Sequence, residues 1–97
     1  MKSFKLPIGL VTYTVKFRKK LVYKGAELEG QCDPTKKIIW IEIRDDPNVM
    51  RQTFWHEYSH ALFSELGKDD LAYNEAFIES FGQNLARAGA TLPKEFK

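Results

Sequence analysis

At 97 residues the chain is long enough for one domain with a modest core and too short for two. Hydrophobic residues make up 43% and aromatics 13%, too apolar for a disordered chain. The 15 basic and 13 acidic side chains leave a formal net charge of +2, which gives no ground for nucleic-acid binding. The single cysteine, Cys32, cannot close an internal disulfide and fits a reducing compartment.

The opening "MKSFKLPIGLVTYTVKF" carries no sustained apolar run. Neither a signal peptide nor a membrane span is expected, and the default reading is a soluble cytoplasmic protein. Val11, Tyr13, Val15 and Phe17 alternate with Thr12, Thr14, Lys16 and Arg18, the period of a half-buried strand. The run "KFRKK" reads as the solvated end of that strand. Strands are expected over 26–32 and 37–43, joined through "DPTK", where Pro34 pre-sets a tight turn. "KIIWIEI" is β-branched and apolar on both faces for part of its length, as in an inner strand or one covered by a ligand.

The period then changes. "DDPNVMRQTFWHEYSHALFSELG" opens with Asp46 as N-cap and Pro47 at the first helical position, and closes at Gly67. "DDLAYNEAFIESFGQNLARAG" reads as one further helix, capped by Asp69 or Asp70 and ended by Gly89, with Pro93 barring continuation. Strands followed by two principal helices predict an α+β fold, a small three-stranded twisted sheet with the helices on one face, in a single domain spanning 1–97.

Both histidines lie in "FWHEYSH". On a helix His56 and His60 differ by about 40° around the axis, one turn apart, so two imidazoles on one stripe can bind one ion. Met50, Phe54, Tyr58, Ala61 and Leu62 fall on the opposite arc and would anchor the helix, while the smaller Thr53 and Ser64 flank the histidines. Glu57 is poorly placed as a third ligand from the same turn; its natural role is to take a proton from water acidified by zinc. An extended HExxHxxGxxH pattern is absent, since Phe63 and Leu66 stand where its glycine and last histidine would be. A third ligand must come from elsewhere, and the next helix offers Glu75 and Glu79, one turn apart and beside the small residues Ala72, Gly82 and Ala86. Carboxylates at the edge of an apolar face need partners there, which an ion and a histidine N–H would supply.

"HEYSH" followed by "NEAFIES" resembles the gluzincin pattern of thermolysin-type zinc peptidases, HExxH on one helix and Asn-Glu-x-x-x-acid on the next. "TFWHEYSHALFSELG" with "EAFIESFGQNL" is also similar to short ImmA/IrrE-type metallopeptidase domains, including small phage-encoded relatives. The resemblance covers residues 45–93 and implies a minimal zincin-like fold. It implies that His56, His60 and Glu75 bind Zn2+, that Glu57 is the general base, and that Glu79 is an acceptor orienting His56. Glu79 stands where thermolysin has an aspartate and is longer by a methylene, so the exchanged roles, Glu79 as ligand and Glu75 as support, stay open. The same resemblance implies an extended peptide or protein substrate held along an edge strand, for which 37–43 is the candidate.

No third histidine is present to stabilise an oxyanion, and the sequence does not choose among Tyr13, Tyr23, Tyr58 and Tyr73 as donors. Cys32 reads as a small core hydrophobe or a fourth ligand, Asp69 and Asp70 as helix caps, and Trp40 and Trp55 as core or cleft wall. The expectation is a zinc-dependent peptidase; the alternative is a zinc-stabilised binding or regulatory module with little turnover. A third reading, a nucleic-acid-associated protease using "KFRKK", has only that charge run behind it.

Overall fold

The computed structural model describes residues 1–96. In chain order they form β1 (Phe4–Ile8), β2 (Val11–Arg18), β3 (Val22–Tyr23), β4 (Ala26–Glu27), β5 (Gly30–Asp33), β6 (Ile38–Glu42), α1 (Pro47–Glu65), α2 (Asp69–Ala72) and α3 (Glu75–Arg87), with a 3-10 turn at Lys94–Phe96. The class is α+β, but the sheet has four strands, in the order β1-β2-β6-β5, with β3 and β4 as a separate hairpin.

β1 is a strand that the alternation pattern does not reveal. Pro7 interrupts its run of donors, which an edge strand tolerates because its outer side has no partner. It pairs antiparallel with β2, Phe4 opposite Val15 and Ile8 opposite Val11. The stretch 26–32, expected as one strand, is two: Ala26–Glu27 closes a hairpin on Val22–Tyr23, and pairing resumes only at Gly30. Lys24 and Gly25 both take positive φ, 52° and 80°, the backbone a two-residue hairpin turn demands.

β6 lies between β2, to which it is parallel, and β5, to which it is antiparallel. The proposed edge strand 37–43 is therefore interior, the first of the two readings that its apolar residues on both faces allowed. Its place at the edge is taken by β5. The turn joining them is held by Asp33 Oδ1, which accepts the N–H groups of Thr35 and Lys36 at 3.1 and 3.0 Å.

The inner face of the sheet, with Phe4, Ile8, Tyr13, Val15, Ile39 and Ile41, packs on Met50, Phe54, Trp55 and Ala61 of α1. Each such side chain contributes about 1.5–3 kcal/mol when fully buried. Tyr58 and Leu62 are half-buried and pack against this core, while Phe96 places its ring 5.0 Å from that of Phe54. Trp40 is on the outer face, with Lys16 and Arg18 over its ring.

α1 starts as expected: the Asp46 side chain accepts the N–H of Asn48 at 2.9 Å and Pro47 holds the first position. It ends at Glu65 with Leu66 as C-cap, and Gly67 closes it: Gly67 N bonds Ser64 O and Lys68 N bonds Phe63 O, a Schellman closure. The second helix departs from expectation. It breaks after Ala72, and Asn74 starts α3 by accepting the N–H of Phe77 at 3.0 Å. Asp69 and Asp70 lie in the first turn of α2 and cap nothing. An Asn with extended φ and ψ immediately before Glu75 is a better N-cap than any residue further back. α3 packs on α1, so the helices form successive layers over the sheet. Among the described residues no helix is long and apolar enough to cross a membrane.

Candidate metal centre

His56 and His60 sit one turn apart on the side of α1 that faces α2 and α3, with ring centroids 5.0 Å apart. α3 reaches them because Gly82 lies at the crossing. A Cβ there would come within 3.2 Å of His56 N, His56 Cα and Trp55 O, tighter than nearly all real contacts. The helices therefore touch backbone to backbone, and the Asn74 cap sets Glu75 at the first position of α3, pointing across.

Glu75 bridges the two rings: Oε2 is 3.3 Å from His56 Nε2 and Oε1 is 3.0 Å from His60 Nε2. The opposite ring nitrogens are committed. His60 Nδ1–H donates to the Ala72 carbonyl at 2.7 Å, and His56 Nδ1 lies 2.9 Å from Glu79 Oε2. Ala72 can accept because the helix breaks there; an unbroken helix would spend that carbonyl on the N–H of residue 76.

With both Nδ1 atoms protonated, neutral rings present bare Nε2 lone pairs to carboxylate oxygens, and such contacts repel. Either a proton on each Nε2 or one shared cation makes them attractive. Two adjacent imidazolium rings would repel each other, whereas a divalent cation satisfies all three groups with the rings neutral. One donor atom from each of His56, His60 and Glu75 lies within 4.8 Å of the others. Donors at ~2.0–2.1 Å around a tetrahedral zinc are about 3.3 Å apart, so the three donors are close enough to converge on one zinc ion. Glu79, in contact only with the far side of His56 and with Gln83 Nε2 at 2.8 Å, stands outside the set.

Glu57 points between α1 and β5. It is 7% exposed and accepts no hydrogen bond among the described residues. Burial, and secondarily the negative charge of Glu75, pushes its carboxyl up to about 8. β5 lies directly on it: a Cβ on Gly30 would meet Thr53 Cγ2 at 2.6 Å and Glu57 Cγ at 2.9 Å. Only glycine allows that approach.

Two hollows flank the His56–Glu57 pair. One, of about 370 Å³, has Leu28, Cys32, Pro34, Ala72 and Tyr73 in its wall with His60 and Glu75. The other, of about 230 Å³, is lined by Glu29, Gly30, Gln52, Thr53, Glu79 and Gln83 with His56 and Glu57. Of the four tyrosines, Tyr73 alone lines either hollow. Tyr13 is buried and donates to Glu65, Tyr58 packs on Phe54 and Trp55, and Tyr23 is on the β3–β4 hairpin. Cys32 borders the larger hollow as a neutral thiol, pushed up to about 12 by burial and then by the charges of Glu57 and Asp33. It is not among the clustered donor atoms, and neither are Asp69 and Asp70.

Sequence reasoning missed Glu29, Gln52 and Gln83, and the Ala72 carbonyl. Gly30 was the available signal, since a lone glycine within a strand marks a close backbone approach. No family model, curated protein or solved structure matches this chain.

Proposed function

We propose that the chain is a zinc-dependent peptidase of minimal zincin-like fold, in which His56, His60 and Glu75 hold the ion and Glu57 is the general base. The observation that carries this reading is the pairing of two imidazoles, each with Nδ1 against an oxygen, with one carboxylate, beside a buried glutamate that has no hydrogen-bond partner among the described residues. A structural site needs no such glutamate. A hydrolytic one does.

When bound, zinc supplies Lewis acidity, polarising a carbonyl oxygen and acidifying water. Glu57, at the floor of the cleft under β5, takes a proton from the attacking water and delivers it to the departing amine nitrogen. Glu79 and the Ala72 carbonyl keep the two rings in one tautomer and one orientation. Tyr73, in the cleft wall, is the phenol available to donate to a developing oxyanion. The substrate is an extended peptide, because the outer edge of β5 has no strand beside it and runs along the cleft. The lone thiol of Cys32 favours the cytoplasm, and no nucleic acid or membrane is needed.

A zinc-stabilised binding module is the second reading. It is favoured by Tyr73, which is 74% exposed and makes no side-chain hydrogen bond among the described residues, so the oxyanion donor is not held in advance. Digestion of a mixed peptide library by the zinc-loaded protein, with metal content measured in parallel, separates the two. Cleavage that vanishes in Glu57→Gln at unchanged zinc content supports the peptidase. Bound zinc without cleavage supports the module, and protein that retains no zinc defeats both.

A further inference from the structure

The smaller hollow differs from the rest of the cleft in its charge. Three carboxylates, Glu29, Glu57 and Glu79, and two amides, Gln52 and Gln83, surround about 230 Å³, and among the described residues no lysine or arginine lines it. That is below the ~300–1,000 Å³ of small-molecule sites and suits one side chain.

Its acidic groups are not equivalent. Glu79 is engaged by His56 and by Gln83 Nε2. Because Gln83 spends its amide nitrogen on Glu79, its carbonyl oxygen is left to accept. Glu57 is buried, faces the hollow and accepts no hydrogen bond. Among the described residues Glu29 accepts a single side-chain hydrogen bond, from Thr53 Oγ1 at 3.4 Å. Its backbone is fixed: its carbonyl accepts the N–H of Glu42 at 2.8 Å, and the next residue, Gly30, presses β5 onto α1. The backbone of Glu29 is thus fixed beside the hollow by the same close approach that covers Glu57, and its exposed carboxylate lines that hollow. Arg51 and Arg87 line a separate depression that shares Gln52 with this one.

We propose that this hollow is a specificity pocket for a lysine or arginine side chain next to the scissile bond, with Glu29 as its counter-charge and the Gln52 and Gln83 carbonyls as further acceptors. The proposal rests on the peptidase reading for its substrate. An apolar side chain would desolvate Glu57 further and leave Glu29 unpaired, and an acidic one would face three carboxylates. Glu29 does no chemistry; it selects.

The test reads binding, so that it stands apart from turnover. Fluorescein-labelled, end-capped decapeptides, identical except for one lysine or glutamate moved through each position, are titrated into zinc-loaded Glu57→Gln protein and followed by anisotropy. At one position lysine is expected to bind about tenfold tighter than glutamate. Glu29→Gln should reduce that preference, and Glu29→Lys, an exposed change that leaves the fold intact, should invert it. Binding without a lysine preference at any position, or a preference unchanged in Glu29→Lys, overturns the pocket. Peptides that bind with the expected preference but are never cut by the wild type overturn only the peptidase reading. Failure of the zinc-loaded protein to bind any peptide overturns both.

Discussion

Glu42 and Glu57 are both buried, 1% and 7% exposed, and their surroundings treat them in opposite ways. Glu42, at the end of β6, accepts the Leu21 N–H at 2.8 Å and is gripped by Arg44 through Nε and Nη2 at 2.6 Å each. The Leu21 hydrogen bond first, and Arg44 after it, hold its carboxyl below the usual range. Glu57 has no such partner, and burial pushes it the other way, to about 8. A carboxylate that fastens loops brings its own donors along the chain. On the peptidase reading, a carboxylate that takes part in chemistry is left without them, at a cost in stability.

The widest separation between the two should come from Glu57→Gln. Hydrolysis by the zinc-loaded protein is expected to fall ~10²–10⁴-fold while zinc content is unchanged. In metal-free protein the same change should flatten a pH dependence. Because the folded state holds a proton on Glu57 more tightly than the unfolded state, stability is full below the ordinary 4.5 and declines as pH rises to about 8. Thermal melts from pH 5 to 9 should show that decline in wild type and its loss in the variant.

Glu79→Ala removes the acceptor of His56 Nδ1–H, and zinc affinity should drop roughly 10–100-fold in competition with a chromophoric chelator. An unchanged affinity would mean that the tautomer of His56 is set by something else.

Glu42→Gln should leave zinc affinity alone and lower the melting temperature at pH 7. Here the sign is reversed. A depressed carboxyl contributes stability above 4.5 and loses it as pH falls through its folded value, so wild type and variant should converge in acid. If the gap persists there, charge is not what Glu42 contributes. Smallest of all, Tyr13→Phe removes one hydrogen bond to Glu65, which Lys37 also holds at 2.6 Å. Urea unfolding should register a loss of about 1 kcal/mol with no effect on the metal centre.

Much of the site was legible because helical geometry is local. The His56–His60 spacing, the Glu57 between them and the Asp46–Pro47 start follow from 3.6 residues per turn and from capping chemistry, which need no knowledge of distant neighbours. The small residue at Gly82 was legible too, as permission for close approach. The Asn74 cap was hidden inside a run that reads as continuous helix, and with it the freed carbonyl of Ala72. β1 was hidden by Pro7 and by its brevity, and the edge was assigned to β6 where β5 stands.

By itself the sequence determined which residues lie on which face of each element, since periodicity and caps act within a few residues. The order of the strands, the layering of α3 on α1, the burial of an unpartnered Glu57 beneath Gly30 and the placing of Glu29 at the mouth of the cleft were decided only in the tertiary structure. Those features depend on contacts between segments far apart in the chain, where packing and desolvation choose among arrangements that local preferences leave equal.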